Sequence, residues 1–270
     1  MNDVLGYKGK KIVMTGIASG MGEAAAKLLL ALGAEIHALD IAPVTLPVAQ
    51  VIRTDMKDQA SIDAALAELP AEIHGLFNCA GVPAPPFGPV DTVMINFAGM
   101  RYLTDALAPR LAPGSGIVSI ASTAGMAWRS NLEQLDAFLA LQGFDALRQW
   151  LESGIELKPD SYSFSKQCMI VYCMRKVREL AARNIRINCI APAPTATGFV
   201  DKQSETLGLD VYKLFMPSIG RFAAPAEMGD VLVLLNSNLA GFVSGLCLPV
   251  DFGYSAEVLS GQRENLIGLS

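Results

Sequence analysis

Tyr162 and Lys166 stand four residues apart in the run SYSFSK, Ser161 to Lys166. On a helix that spacing puts both side chains on one face, one turn apart. A free phenol has a pKa of about 10 and is nearly all protonated at pH 7. A fixed positive charge nearby favours the phenolate and lowers that value. The pair therefore predicts a phenol tuned to act as general acid and base near neutral pH. Taken alone, a Tyr-x-x-x-Lys pair equally describes the wet face of a helix. The elements around it decide between the two.

The run TGIASGMG, Thr15 to Gly22, carries glycines at 16, 20 and 22. It follows a strand-like run, KIVMT, and opens a helical pattern, GEAAAKLLLALG, that Gly33 closes. Glycines at such a turn allow close backbone approach to a phosphate, and the helix N-terminus supplies N–H groups and positive dipole. The spacing is G-x-x-x-G-x-G, and its position between strand and helix predicts dinucleotide binding. Asp40 ends the second strand-like run, AEIHALD, where a carboxylate can accept hydrogen bonds from the adenosine ribose hydroxyls. No Arg or Lys lies between Gly16 and Gly22 or directly after Asp40. A 2′-phosphate would meet uncompensated negative charge there, so NAD is expected over NADP.

Short β-like runs alternate with helical patterns along the chain. QVIRTD, GLFNCA, GIVSIAS, IRINCIA and LCLPVD read as further strands. One long helix is expected from about Val90 to Arg110, another from the Tyr162 region to about Arg183, and a third opening at Pro225 and Ala226. Apolar strands alternating with helices imply a parallel sheet covered on both faces. The expected fold is α/β: a Rossmann-like, doubly wound sheet of about seven parallel strands, in one domain spanning 1–270. The uncharged stretch Val231 to Val250 has the length of a membrane span, but Asn236, Ser237 and Asn238 interrupt it. Helix, turn and buried strand is the expected reading.

Bulk composition excludes other classes. Of 270 residues, 51% are hydrophobic and 17% charged, enough for a full core. The net charge of −5 without any basic run argues against nucleic acid and anionic membrane as partners. Five cysteines, without C-x-x-C spacing, read as reduced core residues. Two histidines in no ligand-spaced cluster predict no metal site. No signal-peptide pattern opens the chain, and a cytoplasmic location is expected.

Together these motifs resemble the short-chain dehydrogenase/reductase family over nearly the whole chain. NCAG, Asn78 to Gly81, resembles the family's Asn-Asn-Ala-Gly stretch, with Cys79 in place of the second asparagine. The resemblance implies that Asn78, Ala80 and Gly81 steady the sheet and line the adenosine side and that Asp55, with Met56, contacts adenine. It implies catalytic roles for Asn96, Ser122, Tyr162 and Lys166. Tyr162 would exchange the proton, Ser122 would hydrogen-bond the substrate oxygen, and Lys166 would also hold the nicotinamide ribose. Asn96, poorly suited to a helix interior, would anchor a water relay to Lys166. NCIAPAPTAT resembles the loop over the nicotinamide, which brings in Pro192, Thr195 and Thr197, although Ala193 replaces the usual glycine. With Gly16, Ser19, Gly20, Met21, Gly22 and Asp40, these complete the expected cofactor set. A homodimer or homotetramer is implied as well.

Ser122 and Tyr162 are about a dozen residues apart in typical members, so residues 129–160 form an insertion here. Leu132, Leu135 and Leu139, then Phe144, Leu147 and Leu151, show helical spacing. Asn131 is expected as an N-cap and Gly143 as a break. The insertion could be extra packing, a roof over the pocket built from Trp128 and Trp150, or a cover over the helix pair by which many members dimerise. Residues 198–222 are expected to form a substrate loop or lid. Met126, Trp128, Trp150, Phe199 and Phe215 are the expected substrate contacts. The activity implied is interconversion of a bulky uncharged alcohol and its carbonyl, with an aromatic or allylic alcohol favoured. A hydroxysteroid or other cyclic secondary alcohol is the alternative. A non-catalytic dinucleotide sensor on the same fold is disfavoured by the complete set of Asn96, Ser122, Tyr162 and Lys166.

Overall fold

The computed structural model describes residues 3–198, 200 and 209–269. Among these, seven strands form one sheet: β1 (Lys11–Thr15), β2 (Glu35–Asp40), β3 (Gln50–Arg53), β4 (Ile73–Asn78), β5 (Leu111–Ile120), β6 (Arg186–Pro192) and β7 (Cys247–Val250). Their order is β3-β2-β1-β4-β5-β6-β7, and every neighbouring pair is parallel. The order reverses at β1, so the connections leaving β1 and β4 diverge and open a crevice at their carboxyl ends.

Both faces of the sheet are buried, which is why the strands are apolar throughout. In β1, Ile12 and Met14 face a core shared with α1 (Gly20–Ala31) and a late helix at Pro225–Asn236. Val13, between them, faces the opposite core, built on α2 (Gln59–Glu68) and α7 (Ser161–Ala181).

The long helix expected from Val90 to Arg110 is not continuous. It runs as α3 (Pro89–Val93), a π-turn at Met94–Ala98, α4 (Gly99–Leu107) and a 3-10 turn at Ala108–Arg110. Asn96 lies inside the widened turn. Its Oδ1 accepts from the Val82 amide at 2.7 Å and its Nδ2 donates to the Val82 carbonyl at 3.0 Å. A π-turn of this kind re-aims one side chain out of the helical repeat.

The insertion folds as α5 (Leu132–Leu139) and α6 (Phe144–Glu152), parted at Gly143 with φ of 86°. Asn131 does not cap α5. Its side chain donates instead to the Lys158 carbonyl and to Gln167, both at 2.8 Å, tying the two ends of the insertion to α7. Phe138 packs 4.9 Å from the Trp150 ring and 5.3 Å from Phe164 of α7. The Arg101 guanidinium of α4 donates to the carbonyls of Leu139 and Leu141, and Arg175 of α7 pairs with Asp136. The two inserted helices therefore cover the outer face of α4 and α7.

Among the described residues three further helices follow: α8 (Leu209–Leu214), α9 (Pro225–Asn236) and α10 (Tyr254–Leu259). The stretch Val231 to Val250 divides into the end of α9, a 3-10 turn at Asn238–Ala240 and β7. Among the described residues no helix is long and apolar enough to cross a membrane.

Candidate active site

The glycine loop leaves β1 along the carboxyl end of β4. Thr15 Oγ1 accepts from the amides of Cys79 and Ala80, each at 3.1 Å. Gly16 has φ of 67°, and a Cβ there would lie 2.5 Å from the Ala80 Cα. A Cβ on Gly22 would lie 2.1 Å from the Gly16 carbonyl oxygen. The loop is thus closed down onto β4 and onto the first turn of α1 to a degree that only hydrogen permits. Asp40 Oδ2 accepts from the Ala18 amide and Oδ1 from the Ala42 amide, both at 2.9 Å. That carboxylate is held at the rim of the loop by two main-chain donors.

These elements bound a cleft of about 460 Å³. Gly16, Ser19, Gly20, Met21, Gly22, Asp40, Asp55, Met56, Ala80 and Gly81 all line it. Asn78 does not. It is buried below the cleft, where Nδ2 donates to Thr104 Oγ1 at 3.1 Å and Ser119 Oγ at 3.2 Å. Asn78 therefore supports β4 from within, and the direct contact expected of it is corrected. A Cβ-free cradle, amides at a helix N-terminus and a carboxylate at the β2 end fit the phosphates and ribose of a dinucleotide.

A larger cavity of about 1200 Å³ continues from the cleft, sharing Met21, Cys79, Gly81, Phe87, Ile120 and Thr197 with it. Ser122, Tyr162, Lys166, Pro192, Thr195 and Thr197 line this second space. Ser122 ends the β5 connection, and its Oγ accepts from the Ala124 amide at 3.2 Å. Tyr162 and Lys166 project from the first turns of α7, whose start is fixed by Asp160: its Oδ1 accepts from the Ser163 amide at 2.9 Å. The Ser122 side chain bears on the Tyr162 phenol and favours its ionised form.

The electrostatics of this group differ from the expectation. Burial pushes the Tyr162 phenol up to about 12; the Ser122 side chain lowers it, and the Asp160 charge raises it further. Burial also pulls the Lys166 ammonium down to about 8. Lys166 Nζ donates to the Ile120 carbonyl at 2.8 Å and sits 5.6 Å from the centre of the Tyr162 ring. In this state the phenol is made harder to ionise, because loss of hydration outweighs the help of the Ser122 side chain. Asn96 lines neither cavity. Its amide group holds Val82 and donates to Ser165 Oγ at 3.2 Å, so its side chain positions the Gly81 turn and α7.

Of the expected substrate contacts, Phe215 lines the large cavity. Phe199 lies outside the described residues. Met126, Trp128 and Trp150 line neither space. Met126 packs in a small cluster with Tyr254 and Phe215. Trp128 carries the Arg129 guanidinium 4.5 Å above its ring, and Trp150 stacks in the insertion core. Large aromatic type gave the wrong signal for both tryptophans, since packing uses the same residues. The cavity wall also includes residues that the sequence reading passed over. Leu266, Ile267 and Gly268 close one side after α10, and Ser130, Asn131 and Gln167 form another.

The comparisons agree with this geometry. The family model described as short chain dehydrogenase matches residues 10–133, and that described as Enoyl-(Acyl carrier protein) reductase matches 153–255. Coniferyl-alcohol dehydrogenase of Pseudomonas sp. (strain HR199 / DSM 7063) is 30% identical over 248 residues, covering 92% of this chain and 97% of its own. The 3-alpha-hydroxysteroid dehydrogenase/carbonyl reductase of Comamonas testosteroni is 30% identical over 257 residues, covering 91% and 96%. The crystal structure of a 3-alpha-hydroxysteroid dehydrogenase from Pseudomonas sp. B-0831, complexed with NADH, superposes with a TM-score of 0.80 at 24% identity, covering 94% of this chain and 100% of that one. An open parallel sheet with a glycine loop at its switch point defines a dinucleotide-binding α/β protein. The chain belongs to the short-chain dehydrogenase/reductase family, and it is therefore an oxidoreductase.

Proposed function

We propose that the chain is an NAD-dependent dehydrogenase that interconverts a bulky, uncharged alcohol and its carbonyl compound. The observation that carries this reading is that Ser122, Tyr162 and Lys166 line one cavity that is continuous with the glycine-loop cleft. Gly16, Gly20, Asp40 and Asp55 would hold the adenosine and phosphate portion of a dinucleotide, and Lys166, Pro192, Thr195 and Thr197 the nicotinamide portion. Bound there, the nicotinamide supplies the hydride chemistry.

The protein's own groups manage the proton. With its phenol near 12, Tyr162 is protonated at neutral pH and ready to give a proton to a carbonyl oxygen. For alcohol oxidation the same oxygen must first lose that proton. Ser122 would donate to the oxygen on which charge develops. Lys166, still largely charged at pH 7 with a value near 8, would stabilise the anion.

Support for NAD is the Asp40 carboxylate at the β2 end of the cleft, with no Arg or Lys directly after it in the sequence. Support for a bulky neutral alcohol is the volume of the large cavity, together with two relatives named for a coniferyl alcohol and a hydroxysteroid. An aryl-allylic alcohol is favoured. The test is NADH formation across cinnamyl-type alcohols, hydroxysteroids and small cyclic alcohols, with NAD and NADP compared. Turnover with NAD on a bulky alcohol is expected. Dinucleotide binding with no NADH formation across the panel would instead indicate a sensor.

A further inference from the structure

Gln167 directly follows Lys166 and takes no part in the chemistry above. It is 1% exposed, yet it lines the large cavity. On α7 it lies about 100° round the helix from Lys166, on the flank nearest the insertion. Asn131 fixes how its side-chain amide sits. Asn131 Nδ2 donates to the main-chain carbonyl of Lys158, a group that only accepts, and this identifies the nitrogen end of Asn131. The same nitrogen donates to Gln167 Oε1 at 2.8 Å. The Gln167 oxygen is thereby occupied.

Gln167 Nε2 is left with two N–H donors and no hydrogen-bond partner among the described residues. It is not sealed away either. Among the described residues, partnerless side-chain atoms cut off from all accessible surface belong to Asn78, Asn236 and Tyr254. Gln167 Nε2 therefore keeps contact with the cavity space. Two hydroxyls on this wall are committed: Ser130 donates to the Ala127 carbonyl at 2.8 Å and Ser163 to Asp160 at 2.7 Å. A buried neutral donor without an acceptor is unfavourable until something fills its place.

We propose that Gln167 Nε2 is a specificity-determining donor that takes a second oxygen of the substrate, with Asn131 as its positioning residue. The substrate is then an alcohol carrying a further neutral acceptor, a hydroxyl, ether or keto oxygen, remote from the carbon that is oxidised. The proposal rests on the large cavity being the substrate site, as argued under the proposed function. A site built to hydrogen-bond a substrate oxygen discriminates against the analogue lacking it more sharply than a hydrophobic wall does.

Matched pairs test it. Cinnamyl and coniferyl alcohol share the allylic carbinol and differ in two ring oxygens. 5α-Androstan-3α-ol and androsterone share the 3α-alcohol and differ in a remote keto oxygen. Wild-type kcat/KM with NAD is expected to favour the oxygenated member of at least one pair by about tenfold or more. Gln167→Met should erase that preference while leaving the plain member within about twofold. Gln167→Glu, which keeps the shape and replaces the donor nitrogen by an acceptor, should erase it as well and guards against a folding defect in the first variant. No preference in either wild-type pair, or a preference that survives both substitutions, overturns the proposal. Should the wild type form no NADH, the dehydrogenase reading fails separately. Titration calorimetry of the same ligands and variants then decides: a Gln167-dependent affinity ratio supports the subsite, and equal affinities or no binding refute it.

Discussion

Lys166 Nζ donates to the Ile120 carbonyl at 2.8 Å and stands 5.6 Å from the centre of the Tyr162 ring. The ammonium is thus anchored to the end of β5, and the Ser122 side chain acts on the phenol, lowering its pKa. Lys166 is buried and Tyr162 half-buried, and loss of hydration shifts both toward their neutral forms, which gives the site a pH dependence that can be measured.

Lys166 should weaken the fold at neutral pH. Its value near 8 in the folded chain lies below the ordinary 10.5. Between those values the unfolded chain binds more protons, so this contribution rises with pH across that window. Below pH 8 the full penalty applies, and above 10.5 it is gone. Lys166→Met should therefore gain roughly 2 kcal/mol relative to wild type at pH 7 over what it shows at pH 10. Urea unfolding at the two pH values checks this; an equal effect at both would contradict it.

Asp40 should set the choice of dinucleotide. Replacing its carboxylate by Asp40→Ser removes the negative charge held by the Ala18 and Ala42 amides. The KM for NAD should rise about tenfold, and the gap to NADP should narrow, because a ribose acceptor and a phosphate repellent are lost together. Steady-state constants for both dinucleotides measure the effect. An unchanged NAD/NADP ratio would remove the role given to Asp40.

Gly16→Ala should damage fold and cleft at once. The new methyl would meet the Ala80 backbone at 2.5 Å, and φ of 67° is strained for any side chain. A loss of about 2 kcal/mol or more in thermal or urea unfolding is expected. NADH fluorescence titration should show binding weakened beyond what the unfolded fraction explains.

Trp150 and Phe215 should separate packing from recognition. Trp150 stacks 6.0 Å from Phe164 with an interplanar angle of 13° and touches no cavity wall. Trp150→Ala should lower stability by about 3 kcal/mol while leaving relative KM values across an alcohol panel unchanged. Phe215→Ala should do the opposite, shifting KM for the bulkiest alcohols with little change in unfolding. Stability curves and panel kinetics on both variants read this out.

The alternation of apolar strands and helices, and the glycine loop ahead of α1, made the sheet readable because period and turn chemistry are local. Tyr162 and Lys166 were readable as neighbours for the same reason, since four residues on a helix fix a shared face. The π-turn at Asn96 was not, because it depends on Val82 reaching across from another loop. The Tyr162 shift also escaped: a lysine in the sequence is visible, whereas the loss of water around a phenol exists only once β5, α7 and the insertion have closed on it. Trp128 and Trp150 misled because size and aromaticity serve a core as well as a pocket. The wall formed by Leu266 and Ile267 gave no signal, since nothing in a short apolar tail says where it folds back.

The most direct test of the proposed chemistry is single-turnover NADH formation by Tyr162→Phe beside wild type, with NADH affinity measured on the same samples. Loss of the phenolic oxygen should slow hydride transfer by about a thousandfold or more and leave NADH binding within about threefold. A variant that keeps most of the wild-type rate would show that the proton passes through some other group.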